Sequence, residues 1–125
     1  MTRPSDHAIN AEVARILEVL RDDFETCHRL IKRSSNLPQA EGIYALRRLG
    51  QILYIGKSAN IRMRFQGGHK ALSYALIDGY AAHELRIAVA PLTNKIFATE
   101  LDTIEGRLLL LVRPPYNVVY PPREV

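Results

Sequence analysis

From Asp6 to Lys32 the apolar side chains fall at Ile9, Val13, Ile16, Leu17, Leu20, Phe24, Cys27 and Ile31. Steps of three and four are the period of an α-helix seen from one side. Glu, Asp and Arg fill the other positions, so the spacing predicts one long amphipathic helix over residues 6–33. Ser34-Ser35-Asn36-Leu37-Pro38 ends it, because proline lacks an N–H and biases its predecessor away from helix. The period then changes. Gly42 to Arg47 and Gln51 to Ile55 are short runs rich in Ile, Tyr and Leu, separated by Arg48-Leu49-Gly50, which is the pattern of a β-hairpin.

Ser58 stands where a helix N-cap belongs, ahead of Asn60 to Phe65, and Gly67-Gly68 closes that helix. A second helical patch covers Ala71 to Leu76 and stops at Asp78-Gly79. Between His83 and Ala90 the chain alternates, with Leu85, Ile87 and Val89 on one side and Glu84, Arg86 and Ala88 on the other, as in a third strand. Thr93 or Asn94 caps a last helix to Val112, with Phe97, Leu101, Ile104, Leu108 and Leu111 facing inward. Pro114-Pro115 terminates it, and Tyr116 to Val119 reads as extended. The expected fold is α/β of the α+β type: a small three-stranded, mostly antiparallel sheet flanked by helices, preceded by a long extra helix.

At 125 residues the chain fits a single domain, 1–125, with the helix at 6–33 and a core at 37–119. Its longest unbroken apolar run, Leu108 to Val112, is far short of a membrane span, and the first ten residues do not resemble a signal peptide. One cysteine, Cys27, excludes an internal disulfide framework and a cysteine zinc site; its spacing makes it a helix core residue. The expected compartment is the cytoplasm. The net charge of +4 is modest but unevenly spread. Residues 42–70 carry Arg47, Arg48, Lys57, Arg62, Arg64 and Lys70 with no Asp or Glu, and all thirteen acids lie outside that stretch. A basic run is often only a solvated face; one that coincides with glycine- and tyrosine-marked strands points toward phosphate.

Tyr44 and Tyr54 lie at matching distances from Leu49, so a hairpin puts their hydroxyls on one face. Lys57 would stand at the mouth of the following helix, a place that suits phosphate, with Arg64 about two turns in. Glu105 lies between Ile104 and Leu108 in an otherwise apolar stretch, where a carboxylate either reaches solvent or has a task.

Gly42-Ile43-Tyr44 and Tyr54-Ile55-Gly56 match letter for letter the two motifs that name the GIY-YIG nuclease family. Gly56 to Arg64 (GKSANIRMR) resembles the stretch that follows in that family, ending in its hallmark arginine; Glu105 resembles its metal-binding glutamate, and Arg113 to Val118 (RPPYNV) its closing segment. The likeness runs from about Leu37 to Val119 and is nearest to the incision domain used in bacterial nucleotide-excision repair. Five elements in order at compatible spacing are a specific signal, where one alone would be weak.

The resemblance implies a DNA endonuclease that hydrolyses phosphodiester bonds with one divalent cation, Mg²⁺ or Mn²⁺, held by Glu105. It assigns catalysis to Tyr44, Tyr54, Arg64, Glu105 and Lys57, with Tyr54 favoured as the proton acceptor within a network with Tyr44. Substrate contacts would come from Lys57, Arg62, His69 and Asn117, and Gly42 and Gly56 would serve backbone geometry. Each residue also has a plainer reading: cross-strand packing for the tyrosines, a solvated helix position for Arg62, an exposed loop for His69, and a brace of the terminal turn for Asn117. For the whole chain the alternative is a non-catalytic nucleic-acid-binding or accessory module of a repair, recombination or mobile-element complex. DNA is the expected partner, with a protein supplying target choice as a further one, and no membrane. The N-terminal helix is expected to pack on its own domain, with pairing to a second copy as the alternative; its acids argue against DNA contact along its length.

Overall fold

The computed structural model describes residues 3–31 and 34–117. Helix α1 (Asp6–Leu20) leads through a 3₁₀ turn at Phe24–Thr26 into strand β1 (His28–Arg29). Strands β2 (Gly42–Arg48) and β3 (Gln51–Ser58) form the hairpin, followed by helices α2 (Ile61–Gln66) and α3 (Lys70–Ile77). Strand β4 (Leu85–Pro91), a 3₁₀ turn at Lys95–Glu100 and helix α4 (Leu101–Val112) complete the order. The sheet is antiparallel, in the order β1-β4-β2-β3, so the α+β class holds with four strands rather than three.

The fourth strand comes from the segment expected to be helical, and so corrects the helix over 6–33. Just past its end the Asp22 carboxylate accepts the Asp23 N–H at 2.8 Å, a local bond by which Asp competes with helix. Arg47, 3% exposed, then fixes the exit, donating to the carbonyls of Leu20 (3.1 Å) and Asp22. Phe24 lies under the Arg86 guanidinium, 4.7 Å from its carbon to the ring centre, and Cys27 packs against the core from a loop rather than from a helix. Residues 32 and 33, and the extended segment expected beyond Asn117, lie outside the described residues.

Alternation along the strands gives each face of the sheet its own core. Ile43, Ala45, Ile55, Ala88 and Ala90 meet Ile9, Val13, Ile16 and Leu20 of α1 and Ile104, Leu108 and Leu109 of α4. The apolar face of α1 is thus buried in its own core. In α4, Leu109 is inward where Leu111 was expected; Leu111 is exposed. The opposite face carries Leu37, Tyr44, Ile61, Phe65 and Ile87, then Leu46, Leu53, Ala71, Ala75 and Leu85.

Strict alternation in Ile52-Leu53-Tyr54-Ile55 would place Tyr54 beside Ile52, on the aliphatic side. A bulge prevents this. Arg47 pairs with Ile52 and Leu46 with Tyr54, so the extra residue sends both Leu53 and Tyr54 to the second face.

Candidate active site

Tyr44 pairs across the hairpin with Gly56, not with Tyr54, which lies one diagonal step away opposite Leu46. The two rings share a face, 6.2 Å apart between centres. Glycine at 56 is required by this contact: a Cβ there would overlap the Tyr44 hydroxyl and approach a Tyr54 ring carbon to 2.9 Å. Gly42 has a comparable role at the strand start, where a Cβ would come within 2.8 Å of Pro91 Cα.

His69 completes the cluster. Gly68, at φ +91°, turns the chain so that His69 becomes the N-cap of α3, its Nδ1 accepting the Ala71 N–H at 3.2 Å. With Nδ1 an acceptor, the neutral ring carries its proton on Nε2, which lies 2.8 Å from the Tyr44 hydroxyl and donates to it. Phe65 stacks on the imidazole at 4.7 Å, and both tyrosines meet its ring edge-on. His69 is 5% exposed, and burial, helped by the charge of Arg64, pulls its pKa down to about 4. It is therefore a buried neutral group and not the loop histidine that its sequence position also allowed.

Tyr44 is 1% exposed, and burial is the first cause that pushes its pKa well above the ordinary phenol value. Tyr54 adds to the rise through its charge and a hydrogen bond, Arg64 opposes it, and Glu105 reinforces it. Tyr54 is only half-buried. Arg64 stands exposed in the last turn of α2.

Lys57 corrects its expected place. It lies on β3, the helix begins later with Asn60 as its N-cap, and Ser58 instead bonds Asn60 through both its hydroxyl proton and its oxygen. Its side chain turns toward α4, where Nζ is 2.6 Å from Asp102. Glu105 stands one turn further along α4. Its pKa is raised by burial, and further by Asp102, while the charge of Lys57 and the Lys57 main chain act to lower it. The phenol pair and the lysine–glutamate pair therefore lie on two sides of strand β3, and Tyr54 is felt by Lys57 across it.

Asn117 spends both ends of its amide on one residue: Oδ1 accepts from Ile55 N at 3.0 Å, and Nδ2 donates to Ile55 O at 2.9 Å. Tyr116 N donates to Leu53 O at 2.8 Å. These bonds close the open edge of β3. Asn117 is thus built in as a brace of the strand carrying Tyr54. Arg62 is likewise engaged, its Nε donating to Leu37 O at 2.6 Å.

The basic run of 42–70 is not one surface. Arg47 serves the exit of α1, and Arg48 pairs with Glu84 at 2.9 Å beneath the Tyr80 ring. What remains near the phenols is Arg64, with Lys57 on the other side. The sequence reading missed Phe65 and Asp102. Phe65 had a signal, four residues before His69; Asp102 had none, since its partner is distant in the chain.

No family model matches the chain. It is 34% identical over 105 residues to UvrABC system protein C of Gloeobacter violaceus, a match covering 73% of this chain and 14% of that protein. Among solved structures, the GIY-YIG N-terminal endonuclease domain of UvrC from Thermotoga maritima, a point mutant bound to the catalytic divalent cation, aligns with 84% of this chain and 97% of its own. That alignment has a TM-score of 0.45 and 20% identity. The paired motifs on one hairpin, their ordered companions and the sequence similarity to UvrABC system protein C make this chain a member of the GIY-YIG nuclease family.

Proposed function

We propose that this chain is a DNA endonuclease that hydrolyses phosphodiester bonds at Tyr44, Tyr54, Arg64, Lys57 and Glu105 with one divalent cation. The observation that carries the reading is the ordered bond from Ala71 N–H to His69 and from His69 to Tyr44. It fixes the tautomer of the histidine and leaves the Tyr44 hydroxyl proton free to point at Tyr54, in keeping with the hydrogen bond that raises the Tyr44 pKa. A donor aimed at Tyr54 orients its oxygen, and on that geometry we assign proton acceptance from water to Tyr54. Tyr44, buried with its proton held, is the positioning partner.

The main-chain N–H of Arg64 bonds Asn60 O within α2, while its exposed guanidinium makes no side-chain hydrogen bond to the described residues. That planar group is available to grip a phosphate through two N–H donors. The donor set fits a hard cation. Among the described residues no three His, Cys, Asp or Glu side chains converge, which leaves the Glu105 carboxylate as the protein ligand and the remaining positions to water and phosphate oxygens. When bound, the cation neutralises charge developing on the phosphate. Glu105 holds that place, Lys57 balances charge beside it, and Asn117 keeps strand β3 in register.

The test is nicking of supercoiled plasmid, and cleavage of flap and branched duplexes, with Mg²⁺ or Mn²⁺ and with EDTA. Activity that needs the cation and vanishes in Glu105→Ala is the expected result. Binding without cutting on every substrate would overturn it in favour of the accessory module.

A further inference from the structure

Lys57 and Asp102 border a cleft of about 290 Å³ together with Glu41, Ser58 and Thr99. Their contact joins strand β3 to the first turn of α4 at 2.6 Å, with side-chain exposures of 38% for the lysine and 86% for the aspartate. A pair this open to water adds little to stability. What it changes is the availability of the ammonium group. Asp102 supplies the carboxylate that holds Lys57 charged, and it occupies one of the three N–H donors a phosphate oxygen would use. The contrast with the other basic side chains is informative. Arg47 and Arg62 are fixed on main-chain carbonyls, bonds that a phosphate cannot take over without breaking the fold. The bond to Asp102 can be given up to solvent.

We infer that Asp102 is a displaceable counter-ion: it occupies the phosphate's place on Lys57 in the free protein and is exchanged for a DNA phosphate on binding. It acts through Lys57 as a positioning residue and sets how tightly, and with what salt dependence, substrate is held. This rests on the nuclease reading above. Neutralising one phosphate releases cations from DNA, whereas salt screens the Lys57–Asp102 contact that has to be broken, so the pair blunts the salt dependence of binding.

Asp102→Asn, Lys57→Met and the double variant would be measured for binding a labelled flap duplex in EDTA across a KCl series, and for nicking with Mg²⁺. Asp102→Asn is expected to bind about two- to fivefold tighter at low salt, the scale of an exposed ion pair. Its salt slope should steepen by up to about one unit, and KM should fall with kcat held within about twofold. In the Lys57→Met background the second substitution should change neither affinity nor slope. An equal gain in that background would make Asp102 only one more negative charge near DNA, and would overturn the exchange. So would unchanged binding by Asp102→Asn, or nicking lost at limiting Mg²⁺ with binding unmoved, which would make Asp102 a residue of the cation site. Those outcomes leave the nuclease reading standing, whereas a wild-type chain that neither binds nor cuts DNA ends both.

Discussion

The two faces of the sheet are built on different rules. Under α1 and α4 the contacts are almost wholly aliphatic, from Ile9 and Ile16 to Ile104 and Leu108. Such packing is non-directional and depends on volume. Under α2 and α3 the centre is Tyr44, Tyr54, Phe65 and His69, joined by ring edges, one stack and hydrogen bonds of fixed direction. The aliphatic face can be repacked by other side chains of similar size; in the aromatic cluster the ring and hydrogen-bond partners are specified. The first face is aliphatic packing almost throughout, whereas the second joins an aliphatic cluster of Leu46, Leu53 and Leu85 to the phenol and imidazole groups. Glu105 and Lys57 lie on the far side of strand β3.

The largest expected effect would separate the two most sharply. Tyr54→Phe keeps the ring and its packing but removes the hydroxyl at the end of the relay, so nicking should fall by about 10²–10⁴-fold while the melting temperature hardly moves. A Tyr54→Phe enzyme with near-normal turnover would remove Tyr54 from the role of proton acceptor.

Leu108→Ala tests the opposite face. Leu108 is fully buried, so its truncation should cost about 2–5 kcal/mol in denaturant unfolding while the fraction that remains folded cuts at the normal rate. Loss of turnover per folded molecule would show that the faces are coupled, and the division drawn here would fail.

The smallest effect lies in pH. His69 titrates near 6.5 in the unfolded chain and near 4 in the fold. Between those values the unfolded chain binds more protons, so stability is complete above about 6.5 and is lost as pH falls toward 4, by at most about 3 kcal/mol. His69→Gln should flatten that part of the stability–pH curve, whereas Leu108→Ala should only lower it. A curve of unchanged slope in His69→Gln would mean that other groups carry the acid sensitivity.

Much of this was legible in the chain. The hairpin could be read from two apolar runs about a short turn, and strand β4 from its alternation. Among the site residues, the paired motifs picked out the tyrosines. Where the reading failed, the deciding partner was remote in sequence. Phe24, Cys27 and Ile31 continue the helical period, yet the helix stops at Leu20, because Arg47 takes up the carbonyls of its exit and β4 offers main-chain partners to His28 and Arg29. Leu111 and Leu109 are equally apolar in the sequence; only the position of the sheet selects Leu109.

By itself the sequence determined that two phenols fall on one hairpin, because the two short motifs supply them at fixed spacing about a short turn. Tertiary structure alone decided what each group is free to do. It buried His69 as a neutral donor to Tyr44, turned Tyr54 onto the same face through a one-residue bulge, withdrew Arg47 and Arg48 from the basic stretch and set Asp102 against Lys57. The physical reason is that burial and pairing depend on distance in space, which local spacing along the chain does not encode.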